Sequence, residues 1–181
     1  MADRERLRRY PSHAQPANPT TNATVNATTV AELDCPGQLI VWSCRHWLES
    51  AHDWPALQQV FWEACGITNV EAALQGFQEM IGILSGSSRR TLFFHRPACR
   101  RVSADELCIL NLVSALQNER NEHAEALVCW LVPASMQARL LRSAAGLAAA
   151  LHKSGNVVSQ ATAFPALAGE PLTAMAPTGP D

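Results

Sequence analysis

Apolar residues recur at helical spacing through the middle of this chain and thin out towards both ends. From Gln38 to Ala51 the apolar anchors are Leu39, Ile40, Trp47 and Leu48, a pattern that predicts a first helix. A second, shorter helix is expected up to Cys65. Asp53 can cap it, Pro55 falls in its first turn, where proline is tolerated, and Gly66 stands where a glycine commonly closes a helix. The third helix is the most regular. Asn69 can cap it, and Val70, Ala73, Leu74, Phe77, Ile81 and Leu84 line one face until Ser85-Gly86-Ser87-Ser88 ends it.

The helical pattern breaks between Arg89 and Val102. Thr91-Leu92-Phe93-Phe94 predicts a short extended piece, and Pro97 bars a regular helix. Ser103-Ala104-Asp105-Glu106 then forms a capping box, in which the Ser103 hydroxyl accepts from a backbone N–H and Glu106 reaches back to the Ser103 amide. The helix that follows carries Leu107, Leu110, Val113 and Leu116 and runs to about Gln117. Asn118 to Asn121 reads as a break or as a polar continuation. A fifth helix covers Glu122 to Leu131 and is stopped by Pro133. Ser135 caps a sixth, with Met136, Leu140, Ala144, Leu147 and Leu151 on one face and Gly155 at its end. The fold class expected is all-α, a bundle of five or six helices with at most one short extended segment near 91–94.

Outside this region the chain has few large apolar residues. Residues 1–34 are rich in Pro, Asn, Thr and Ala, and residues 156–181 in Pro, Ala and Thr. Neither buries enough surface to offset ordering entropy, so both are expected to be disordered tails around a helical domain at 35–155.

Charge and composition narrow the function classes. A net charge of −2 and a pI near 6.3 give no global attraction to nucleic acid or an anionic membrane. No apolar run approaches the roughly 18 residues that span a bilayer. The first residues, MADRERLRRYPSHAQ, lack the apolar stretch of a secretory signal. They are Arg-rich, with no acid between Glu5 and Glu32, as transit peptides are, but Asp3, Glu5 and the prolines oppose that reading. A cytoplasmic location is expected, with Cys35, Cys44, Cys65, Cys99, Cys108 and Cys129 as reduced thiols.

The candidate chemistry concentrates in the irregular connection. Arg89, Arg90, Arg96, Arg100 and Arg101 give it five positive charges, with no acid between Gly82 and Ala104. Guanidinium forks suit carboxylate and phosphate oxygens, and Ser103 with the helix start behind it adds backbone donors. With His95 these residues form the candidate ligand- or partner-binding set. The competing reading is a solvated loop whose charges pair with Glu119, Glu122 and Glu125.

Cys99 is the reactive-thiol candidate, because Arg96, Arg100 and Arg101 lie close in sequence and positive charge lowers a thiol pKa. His95 and Cys99 also form an H-x3-C pair, to which Cys44 and His46 could add ligands for zinc. Against that, no C-x2-C pair stands in the chain, and free cysteines commonly pack as small apolar residues. Glu119, Glu122, His123 and Glu125 lack the E-x-x-H spacing of a di-iron bundle and read as a solvated face. Trp42, Trp47, Trp54 and Trp62 lie close together in sequence. They read as core packing of the first helices, or in part as an exposed patch for a partner protein.

With no G-x-S-x-G and no glycine-rich phosphate loop, the reading is of a non-catalytic regulator or adaptor. It binds another protein or an anionic ligand through the Arg89–Arg101 loop and a Trp-bearing surface. The alternative is a metal-binding or thiol-redox protein centred on His95 and Cys99.

Overall fold

A computed structural model describes residues 7–9, 28–49 and 54–160. The fold is all-α, and the described residues form a bundle of five helices: α1 (Cys35–Glu49), α2 (Trp54–Ser87), α3 (Ala104–Gln117), α4 (Asn121–Leu131) and α5 (Ala134–Lys153). Two three-residue strands accompany them. β1 (Leu7–Arg9) pairs in parallel with β2 (Leu92–Phe94), Leu7 opposite Leu92 and Arg9 opposite Phe94. β2 is the extended piece expected near 91–94.

α1 starts three residues before the expected Gln38. Asp34 sets this start: its carboxylate accepts from the Gly37 amide at 2.7 Å and its carbonyl from the Gln38 amide at 2.9 Å. The expected end at Ala51 and the Asp53 cap lie outside the described residues.

The second and third expected helices form one element, α2, bent at Gly66, whose φ of 64° and ψ of 175° leave helical space. A left-handed φ suits glycine, which has no Cβ to clash. Phe61 on the first arm packs against Phe77 on the second, ring centroids 5.4 Å apart and both rings fully buried. Each such burial is worth about 1.5–3 kcal/mol. The bend also strips carbonyls of their helical partners, and the end of α5 supplies replacements. Asn156 Nδ2 donates to the Ala64 carbonyl at 2.7 Å, and the Ser154 hydroxyl lies 3.1 Å from that of Cys65.

α2 lies along α5 at very short range because of Gly76. A Cβ there would meet the Leu147 amide nitrogen at 2.6 Å and the Ser143 carbonyl oxygen at 2.9 Å. α3 runs through the centre, against α1, α4, α5 and β2. Every residue from Asp105 to Ala115 on it is buried. Its expected single apolar face is therefore an underestimate: neighbours surround it.

Of the two readings of Asn118–Asn121, the break rather than the continuation is present, with Glu119 at φ 55°. α5 begins at Ala134, with Pro133 in the cap position, and Ser135 is exposed in its first turn. Pro133 is extended (φ −64°, ψ 160°), so the chain enters the helix before the serine that was expected to cap it.

Residues flanking 35–155 also join the fold. The Val30 amide donates to the Arg100 carbonyl at 2.7 Å and the Val102 amide to that of Thr28 at 2.9 Å. Val158 is buried, and its amide donates to Gln117 Oε1 at 2.8 Å. Of the two expected tails, residues 1–6, 10–27 and 161–181 lie outside the described residues. None of the described helices is long and apolar enough to cross a membrane.

Candidate functional site

The irregular connection between α2 and α3 is built around Arg45. This arginine follows Val41 by one turn of α1 and precedes Leu48 by three residues, both of them buried, so it points into the core and is only 2% exposed. A guanidinium there requires a counter-charge. Glu106 of α3 supplies it through a two-pronged contact: Arg45 Nε donates to Oε1 at 2.7 Å and Nη2 to Oε2 at 2.8 Å. The remaining guanidinium protons go to the loop backbone, Nη1 to the Cys99 carbonyl at 2.7 Å and Nη2 to the Arg101 carbonyl at 2.6 Å. Glu106 also accepts from the His95 amide at 3.2 Å and the Ser103 amide at 2.8 Å. With a longer contact of 3.4 Å from Arg45 Nη1 to the Arg96 carbonyl, one buried ion pair thus fastens the loop at five backbone positions.

A second ion pair holds the start of the connection. Arg90 forks onto Asp105, whose Oδ2 also accepts from the Phe93 amide at 2.7 Å. The Arg90 guanidinium lies over the Trp130 ring, 3.9 Å from its centroid. Phe93 and Trp130 remain 37% and 40% exposed, which makes an aromatic–arginine patch beside the loop. Arg89 closes the end of α4: its amide donates to the Leu131 carbonyl and its Nε to the Val132 carbonyl, each at 2.9 Å.

The arginines therefore divide into two groups. Arg89 and Arg90 hold the connection to α4 and α3. Arg96, Arg100 and Arg101 are exposed, with backbone turned inwards and side chains outwards. Among the described residues, none of these three forms an ion pair. The expected partners Glu119, Glu122 and Glu125 are exposed on or beside α4, and Arg90 pairs with Asp105 instead. Ser103 is buried, and its hydroxyl is committed. It accepts from the Glu106 amide at 3.1 Å and donates to the Phe93 carbonyl at 2.6 Å. The capping box read from sequence is present, so the chain's own side chains satisfy the start of α3.

His95 is half-buried, and burial pushes its pKa below the usual histidine value; the Glu106 carboxylate opposes this, while Arg45 and Arg101 add to it. Cys99 is half-buried in the loop. Cys44 is fully buried, and its thiol is held far above the usual range by burial and by the Glu106 carboxylate, against the pull of Arg45. Burial with the Asp105 carboxylate pushes Cys108 up to about 12. Burial thus disfavours the thiolate form of both. His46 stacks on Trp42, ring centroids 4.5 Å apart. Among the described residues no three His, Cys, Asp or Glu side chains gather as a metal site.

The tryptophans divide as well. Trp42 and Trp47 are half-buried on α1. Trp54 and Trp62 line a cleft of about 580 Å³ between the two arms of α2, with Val70, Leu74 and Glu71 on the other wall.

Arg45 and the pairing roles of Asp105 and Glu106 were not read from sequence. The available signal was an arginine on the apolar face of a helix, which demands a buried acid. The matching signal was a pair of acids at the start of a strongly apolar helix. The chain matches no family model, and neither a curated protein nor a solved structure matches it.

Proposed function

We propose that this chain is a non-catalytic adaptor or regulator that binds an acidic segment of another protein through Arg96, Arg100 and Arg101. The observation that carries the reading is the division within the loop. Its carbonyls are held by buried Arg45, while three guanidinium groups point outwards without counter-charge among the described residues. A loop fixed before binding loses little entropy on contact, and unpaired guanidinium forks suit carboxylates. The exposed Phe93–Arg90–Trp130 patch supplies residue types that dominate protein interfaces. The six free thiols fit a reducing compartment, and we place the protein in the cytoplasm.

The test is titration of the full chain into a fluorescein-labelled glutamate-rich peptide, followed by affinity capture from cell extract. Saturable binding that weakens with salt and falls at least about tenfold in the R96A/R100A/R101A variant is expected. Peptide binding unchanged in that variant, or capture of no specific protein, overturns the reading.

A further inference from the structure

The bend at Gly66 makes a second site, independent of the arginine loop. Trp54 and Trp62 lie two turns apart on the first arm of α2, and the second arm brings Glu71 and Leu74 to the same cleft. Its volume, about 580 Å³, falls in the range of small-molecule sites. Trp62 is 52% exposed, an uncommon state for so large an apolar ring unless something covers it.

The lining has a definite electrostatic character. Two indoles, whose ring faces are electron-rich, line the cleft together with the carboxylate residue Glu71. The remaining polar residues are the neutral Gln58, Gln75 and Gln78, and among the described residues no Lys, Arg or His lines the cleft. Among the described residues Glu71 has no ion-pair partner. Aromatic faces attract cations most strongly when the cation is weakly hydrated. A compact inorganic ion keeps its water; an ammonium wrapped in hydrocarbon gives it up and also covers apolar wall.

We infer that the Trp54–Trp62–Glu71 cleft binds a small organic cation of the alkylammonium class. The indoles pack on its hydrocarbon groups, and Glu71 neutralises its charge. Val70 and Leu74 supply the apolar part of the opposite wall.

The experiment uses the full chain, with choline as the cation and 3,3-dimethylbutan-1-ol as its neutral isostere, measured by calorimetry and tryptophan fluorescence at constant ionic strength. Choline is expected to bind saturably and at least about fivefold more tightly than the neutral alcohol. W62A and E71Q, both at exposed positions, are each expected to weaken choline by a similar factor while the thermal transition stays unchanged. Absence of saturable choline binding, equal binding of the neutral isostere, or wild-type affinity in both variants overturns the inference. Loss of acidic-peptide binding in the loop variant leaves choline binding intact, which separates the two sites.

Discussion

Arg45 and Glu106 meet through two parallel hydrogen bonds of 2.7 and 2.8 Å, each residue 2% exposed and 61 positions apart in the chain. Such a pair adds little net stability, because desolvation of two charges offsets their attraction, but breaking one half leaves a buried charge. The pair also anchors the loop, through the carbonyls of Cys99 and Arg101 and the amides of His95 and Ser103.

Arg45→Met is therefore expected to destabilise the fold by about 3–5 kcal/mol, as is Glu106→Leu, by chemical denaturation. The double variant should lose clearly less than the sum, because it leaves neither charge unpaired. Additive losses would show that the two residues act separately.

Ser103 and Ser135 separate a true cap from an apparent one. Ser103→Ala removes the acceptor for the Glu106 amide and the donor to the Phe93 carbonyl, and should cost about 1–2 kcal/mol. Ser135→Ala should fall within about 0.5 kcal/mol of wild type, since Pro133 holds the cap position. Equal shifts in the two denaturation midpoints would contradict this assignment.

Two glycines of α2 should respond in opposite directions. Gly76→Ala forces a methyl against the backbone of α5 at Leu147 and Ser143, and should destabilise by about 1–3 kcal/mol. Gly82 is exposed on the same helix with nothing within 4 Å of an added Cβ, so Gly82→Ala should stabilise by about 0.5–1 kcal/mol. Thermal denaturation of both variants checks the helix contact.

Burial lowers the pKa of His95 in the folded chain, while the unfolded chain titrates near the ordinary value of about 6.5. As pH falls below that value the unfolded state takes up the proton first, so stability declines through the lowered folded-state pKa and is fully kept above pH 6.5. His95→Gln should flatten this part of the profile. Denaturation midpoints measured between pH 7.5 and 5 test it, and an unaltered slope in the variant would assign the decline to other groups.

The sequence by itself determined the helices, their approximate limits, the capping box at Ser103 and the irregular connection at Arg89–Val102. Each follows from interactions within a few residues: periodic apolar positions, a serine three places before a glutamate, or a proline without an N–H. It also located Arg96, Arg100 and Arg101, because charge without neighbouring acid is visible along the chain. Only the tertiary structure decided which arginines are held and which are outward. It joined two expected helices into bent α2, with Phe61 on Phe77 and Asn156 on the freed Ala64 carbonyl, and it opened the cleft between Trp54 and Glu71. Arg45 finds Glu106, and Arg90 finds Asp105 and Trp130, across long stretches of chain. Such pairings depend on where helices cross, and packing of α3 among its neighbours sets that crossing.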